Sequence, residues 1–466
     1  MSEKTRGELL SEKLLHNKKN GFDLLEEKEI QAAYDYCEGY KDYLDNSKTE
    51  RVCAKYSIAM AEKCGFVPFE KGMKLKAGDK VYFDNRGKTV AFVTVGTLPI
   101  TEGIHIAAAH IDSPRLDLKP NPVFETDEIG YFKTHYYGGI KKYQWLSLPL
   151  SLYGTAILKD GSSVDVSIGD NENDPVFCIP DLLPHLAKDQ MSKTMSDAVN
   201  AEAMNVIIGS RPFCDDKVSQ RVKLNVLNIL FEKYNITEED FVSAEFELVP
   251  SYMARDIGLD RSLIGSYGHD DRVCAYPSIT ALFDAKTPAH TIMAVLADKE
   301  EIGSNGVTGM KSEFLKYVIE DVAESMGEKL KDVIRNCKCL STDVSAAHDP
   351  NYPEVTEIRN STRINYGFAA SKYTGSRGKS STSDASAEFV GYVRNIFDKA
   401  GVIWQIGEMG KVDQGGGGTV AMYIAELCMD VLDLGVPVLG MHAAFEVVSK
   451  LDVYMAYKGI KAFFEA

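Results

Sequence analysis

The chain has 466 residues, 44% hydrophobic and 26% charged, and carries a net charge of −16 from 68 acidic against 52 basic side chains. A length beyond what one hydrophobic core supports predicts two domains, and the acidic balance argues against nucleic acid or an anionic membrane as partner. The nine cysteines are scattered and form no CxxC pair, Met1 to Arg6 lack the apolar core of a signal peptide, and no run reaches the roughly 18 apolar residues of a membrane helix. The reading is a soluble, cytoplasmic protein with reduced thiols.

Within residues 22–64, Phe22, Leu24, Leu25, Ile30, Ala33, Tyr34 and Cys37 recur at helical spacing among charges, which predicts helices. Val81 to Val95 turns strand-like, with Asp84-Asn85-Arg86-Gly87 as a hairpin turn. A short apolar run, Ile104 to Ala109, ends in His110. From about 120 to 247 the texture changes: β-rich pieces such as Ser151 to Leu158 and Val164 to Ile168 are punctuated by Lys159-Asp160-Gly161 and Gly169-Asp170-Asn171, with a helical pattern at Val222 to Tyr234. This predicts a β-rich domain at 120–247 inserted into a main domain made of 1–119 and 248–466. After residue 250, strand-type and helical runs alternate over 278–285, 291–297, 310–326, 337–342, 385–400, 419–431, 436–441 and 443–463. Alternation of this kind predicts an α/β sheet covered on both faces.

Ligands of open α/β sheets bind beyond the carboxyl ends of the strands, so the polar residues that follow apolar runs carry the most information. Four such ends bear metal-type side chains: His110 after 104–109, Glu300 and Glu301 after 291–297, Asp343 after 339–342, and His442 after 436–441. Asp270, just before the helical run 273–285, is a fifth candidate. Taken singly, each has a bland reading as a structural histidine, a helix cap or a solvated loop. Together they are the imidazoles and carboxylates that a two-metal hydrolytic site requires, one of them bridging. Asp112, two residues after His110, is placed to accept the other imidazole N–H and fix its tautomer.

The ordered segments His110-Ile-Asp-Ser-Pro, Gly268-His-Asp-Asp-Arg, Asp298-Lys-Glu-Glu-Ile-Gly-Ser, Ser341-Thr-Asp-Val-Ser, Asp349-Pro-Asn-Tyr352 and Gly440-Met-His442, with Tyr137-Gly138-Gly139 between them, resemble the aspartyl aminopeptidase / aminopeptidase I family of dizinc metallopeptidases. The resemblance implies a zinc-peptidase-like α/β/α catalytic domain with a mixed sheet and an inserted β-rich oligomerisation domain. It also implies two divalent ions, zinc foremost and cobalt or manganese as substitutes. His110 and Glu301 would lie on separate ions bridged by Asp270, with Asp343 and His442 completing the pair, Glu300 as general base and Asp112 as the orienting carboxylate. The implied substrates are peptides with a free N-terminus, and the implied assembly is a tetrahedral homo-dodecamer built from dimers.

Three further expectations follow. Gly415-Gly416-Gly417-Gly418-Thr419 precedes the helical run 420–431, so Gly417 and Gly418 are expected to offer N–H groups to a carbonyl or oxyanion. His185, in the insert, falls where the family contributes a histidine to a neighbouring subunit's active site. Arg363 falls near the basic position that acidic-residue members place in the first specificity pocket, but the match is not identical. Neutral or broad specificity is therefore favoured, with acidic N-terminal residues as the alternative, and a related two-metal deacylase or carboxypeptidase as a further one. A phosphate-binding loop at Gly378-Lys379-Ser380 is excluded, since Tyr373 stands where its first glycine is required.

Overall fold

The computed structural model describes residues 4–466 apart from Asn17 and Thr287. Its centre is a nine-stranded mixed sheet in the order Val67–Pro68, Lys80–Asn85, Thr89–Thr94, Thr291–Ala297, Ile104–His110, Lys338–Thr342, Asp430–Gly435, Phe368–Ser371 and Trp404–Ile406. The four middle strands, from Thr291–Ala297 to Asp430–Gly435, run parallel. Every residue of Thr291–Ala297 and Ile104–His110 is buried, as a strand packed on both faces requires.

Strand alternation divides the core in two. Ile292, Ala294 and Leu296 join Ala107, Leu340 and Leu432 against the helices Glu27–Asp45, Glu50–Lys63, His269–Asp284, Ala387–Ala400 and Lys450–Phe464. Met293, Val295 and Ala297 join Ile106, Ala108 and Cys339 on the opposite face, against the helix Phe314–Ser325. A period of two along the strand places neighbouring side chains on opposite faces, and three layers result. The expected hairpin is present: Asn85 pairs with Thr89, and the Gly87 N–H donates to Asp84 Oδ1.

A separate antiparallel β domain holds six strands, in the order Ser163–Ile168, Leu150–Ile157, Ala244–Pro250, Arg115–Thr126, Ile129–Tyr137 and Val206–Gly209. Its own core gathers Leu116, Phe132, Trp145, Leu152 and Phe246. The strands begin at Arg115, five residues after His110, so the first strand of this domain leaves directly from a candidate site residue. A small five-stranded sheet joins Arg255–Ile257, Leu263–Ser266, Glu446–Ser449, Pro437–Leu439 and Ser345–Ala346.

Two element expectations differ from the structure. The run 419–431 is only a five-residue helix, Ala421–Ala425, followed by the central strand Asp430–Gly435, because Leu427 to Met429 turn back toward the sheet. The run 436–441 forms Pro437–Leu439 of the small sheet, so His442 arrives from a turn beside the main sheet instead of from one of its strand ends. Among the described residues no helix is long and apolar enough to cross a membrane.

Candidate active site

The parallel strands end at one edge and deliver their side chains together. Ala297 pairs with His110 and Ser341 with Ala108, so His110, the turn after Ala297 and Asp343 converge. Asp343 is held there by the carbonyl of Leu434, which accepts its N–H at 3.0 Å. Gly435 makes this approach possible, since a Cβ at that position would stand 1.9 Å from the Asp343 carbonyl oxygen. The helix His269–Asp284 brings Asp270 over the strand ends, and the Asp270–Asp271 peptide is cis.

The result is two donor triads that share Asp270. His110, Asp270 and Asp343 form one; Asp270, Glu301 and His442 form the other; within each, the nearest donor atoms all lie within 4.8 Å of one another. Asp270 divides its carboxylate between them, with Oδ1 3.1 Å from His110 Nε2 and Oδ2 3.3 Å from His442 Nε2. Asp343 Oδ1 lies 3.7 Å from His110 Nε2, and Glu301 Oε1 lies 3.5 Å from His442 Nε2. Glu300 sits beside both triads and belongs to neither.

Both imidazoles are oriented by backbone carbonyls. His110 Nδ1 is 3.0 Å from the Asp112 oxygen and His442 Nδ1 is 2.8 Å from the Gly139 oxygen. A carbonyl only accepts, so Nδ1 carries a proton, and the neutral ring then turns an Nε2 lone pair toward acceptor-only carboxylates. That arrangement is repulsive unless a proton or a metal cation lies between. Asp270 Oδ1 and Glu301 Oε1 are buried with no hydrogen-bond partner among the described residues. Burial and the surrounding carboxylates raise Glu301 and Asp343 above the usual carboxylate range, although His110 and His442 oppose this. Burial would lower His442, but Asp270 and Glu301 outweigh it and push the imidazole up to about 10. The donor set, the orphaned oxygens and the unmet need for positive charge all fit a pair of divalent cations.

Asp112 behaves differently from expectation. Its backbone oxygen makes the closer approach to His110 Nδ1, while carboxylate Oδ1 is 3.4 Å away. The carboxylate instead accepts the N–H groups of Glu300 (Oδ1, 3.0 Å) and Glu301 (Oδ2, 3.1 Å), together with the Tyr137 hydroxyl at 2.8 Å. The short His110–Asp112 span lets the main chain curl back to the ring first, and the side chain is free to organise the glutamate turn.

A cavity of about 550 Å³ opens onto the triads. Glu300, Gly417 and Gly418 line it, but the helix after the glycines has only five residues, too short for the expected anion-binding helix start. Arg363 does not line it. Its side chain borders a separate depression with His348, Ile358 and Tyr366, because Gln405 holds the Arg363 backbone away from the site at both its N–H and its carbonyl. Among the described residues, the lysine and arginine side chains that do line the cavity are Arg377, Lys379 and Lys411. His185 is exposed on the short turn Pro184–Leu186 and does not reach the cavity of its own chain.

Glu446 escaped sequence reading. Buried in the strand Glu446–Ser449, it accepts the Asp270 N–H through Oε2 at 3.1 Å and the His442 N–H through Oε1 at 2.8 Å. The only signal was one acid in an otherwise strand-like Glu446-Val447-Val448-Ser449. One carboxylate thus fixes the spacing of two residues of the same triad. Glu446→Gln offers a single acceptor for these two donors, and is expected to weaken zinc retention roughly tenfold in titration against a competing chelator; unchanged retention in a folded variant would exclude this role.

A family model described as aminopeptidase I zinc metalloprotease (M18) matches residues 43–464. A probable M18 family aminopeptidase 1 of Clostridium acetobutylicum is 47% identical over 458 residues, 97% of this chain and 98% of that protein. The crystal structure of an M18 family aminopeptidase from Thermotoga maritima superposes with a TM-score of 0.93 at 44% identity, covering 97% of this chain and all of the other. At 20% identity the likeness to the S. cerevisiae mApe1 dodecamer, with a TM-score of 0.75 over 94% of this chain and 97% of that one, is one of fold. With strand-end triads, an accessory β domain and this similarity along nearly its whole length, the chain belongs to the aminopeptidase I zinc metalloprotease family, M18.

Proposed function

We propose that this aminopeptidase removes single residues from the free N-terminus of peptides by a two-metal hydrolysis in which Glu300 moves the proton. The observation that carries the reading is the division of the Asp270 carboxylate between two imidazole-bearing triads, with Glu300 left over beside them. His110, Asp270 and Asp343 would hold one ion, and Asp270, Glu301 and His442 the other. Bound divalent ions supply a lowered water pKa and Lewis-acid polarisation of the scissile carbonyl.

The residues of the chain do the rest. Burial, reinforced by Asp343, Asp112 and Asp270 and opposed by His110, pushes Glu300 up to about 8. With positive charge held in the triads Glu300 would return toward its ionised form, and its carboxylate would take a proton from the attacking water and return it to the leaving amine. Asp112 holds the Glu300 and Glu301 N–H groups and so fixes which way the turn faces. The acidic floor suits a free ammonium group. Glu300→Gln is expected to lower kcat by at least about a thousandfold while two zinc equivalents remain bound. Substantial activity at full metal content would refute the base assignment.

For specificity, Val344, Ala346, Met409 and Met441 in the cavity wall favour neutral N-terminal residues, and Lys379 is occupied by Asp384 at 3.2 Å. Arg377 and Lys411 in the same wall favour the acidic alternative. A panel of leucyl, alanyl, glutamyl and aspartyl peptides, free and N-blocked, is expected to show faster cleavage of free leucyl and alanyl substrates. Preference for glutamyl or aspartyl peptides would select the acidic reading, and equal cleavage of blocked peptides would point to a deacylase or another peptidase class.

The β domain supports assembly. Leu182, Leu183 and Leu186 are exposed around His185, and the fold likeness to the S. cerevisiae mApe1 dodecamer favours a homo-dodecamer in which His185 serves a neighbouring site. Mixing inactive Glu300→Gln with inactive His185→Ala subunits is expected to restore part of the activity, with assembly size read by native mass spectrometry. No recovery in verified mixed oligomers would remove the shared-site claim.

A further inference from the structure

Arg115 and Tyr137 are directly opposed across the strands Arg115–Thr126 and Ile129–Tyr137. The Arg115 guanidinium stacks 3.8 Å from the centroid of the Tyr137 ring. Three carboxylates surround that guanidinium: Asp117 Oδ1 at 2.8 Å from Nε, and Glu50 Oε2 and Glu247 Oε1 each 3.2 Å from a terminal nitrogen. Glu247 belongs to the six-stranded sheet, whereas Glu50 opens the helix Glu50–Lys63 of the main body, where Lys88 is its second ionic partner at 3.4 Å. Arg115, buried with 7% of its side chain exposed, therefore ties the two bodies together.

The pair also reaches the site. The Tyr137 hydroxyl donates to Asp112 Oδ2 at 2.8 Å, and that oxygen accepts the Glu301 N–H while its partner oxygen accepts the Glu300 N–H. The chain continues from Tyr137 into Gly138, where a Cβ would stand 3.1 Å from Glu301 Oε2, and Gly139, whose carbonyl orients His442. A planar cation against the ring sets the ring's plane and hence the hydroxyl's direction. A phenol donating into a buried carboxylate restricts where its remaining lone pairs point.

Building on the two-metal reading above, we infer that Tyr137 and Arg115 are positioning residues for peptide cleavage. Through the Asp112 carboxylate they fix the turn that carries Glu300 and Glu301, and they make its geometry depend on the seating of the antiparallel sheet against the main body. A merely structural pair would lower stability and leave both kcat per folded site and zinc affinity unchanged.

Tyr137→Phe keeps the stacked ring and deletes only the hydroxyl. It is expected to reduce kcat about tenfold with KM within about twofold, and to weaken one of two zinc equivalents roughly tenfold in a chelator-competition titration. Arg115→Lys keeps the charge and loses the planar stack; its losses are expected in the same direction, and the double variant should be no worse than the poorer single. Unchanged kcat and zinc retention in folded Tyr137→Phe overturns the inference, as do losses that multiply in the double variant. Should Arg115→Lys fail to fold, Tyr137→Phe decides by itself. The zinc titration reads the Glu301 side whether or not Glu300 is the base, so an active Glu300→Gln enzyme refutes the base assignment alone, and a wild type that retains no zinc refutes the two-metal reading.

Discussion

Carboxylates buried beside one another repel unless positive charge lies among them, and this constraint organises the molecule. Asp270, Glu301 and Asp343 are packed against two imidazoles whose Nδ1 protons are already committed to backbone carbonyls. Among the described residues, Asp270 Oδ1 and Glu301 Oε1 face inward with no hydrogen-bond partner. The parallel strands, the first residues of the helix His269–Asp284 and the turn at His442 each bring one part of this charge to the same few ångströms. The fold concentrates an electrostatic cost at one edge of its sheet, and the proposed chemistry draws on that concentration.

Holding such a cluster open to substrate requires rigidity from groups outside it. Asp112 and Glu446 supply much of this, each through two carboxylate oxygens that accept backbone N–H groups of the site residues. Neither needs to touch a reacting atom. Backbone donors cannot rotate away as side chains do, so a buried carboxylate on two of them sets main-chain spacing. The antiparallel domain adds a third support through Tyr137-Gly138-Gly139, which lie against Asp112, Glu301 and His442. The accessory domain thus departs from the site at Arg115 and returns to it at Gly139.

Much of this was legible in the chain. Metal-type residues after buried apolar runs are costly without a purpose, so His110, Glu300, Glu301 and Asp343 mark the sheet edge in the sequence itself. Asp270 was readable by its place before a helix. Arg363 was misplaced because linear spacing after Asp343 says nothing of which way a loop turns, and the Gln405 amide turns this one away. The glycine run promised a helix N-terminus, but Ala421–Ala425 stops after five residues as the chain swings into the central strand Asp430–Gly435. Glu446 was invisible, since a single acid in a short strand has no pattern around it.

Sequence by itself determined the chemical inventory, the three-layer α/β class, the β-rich accessory domain and the family, because each rests on local periodicity or on an ordered set of short segments. Tertiary structure alone decided how the inventory is shared out. Which oxygen of Asp270 faces which imidazole, that Asp112 grips the glutamate turn more than the histidine, and that the accessory domain supplies the carbonyl behind His442 all depend on contacts between residues far apart in the chain. Such contacts are set by packing and by the need to satisfy buried polar groups, and neither has a signature in linear spacing.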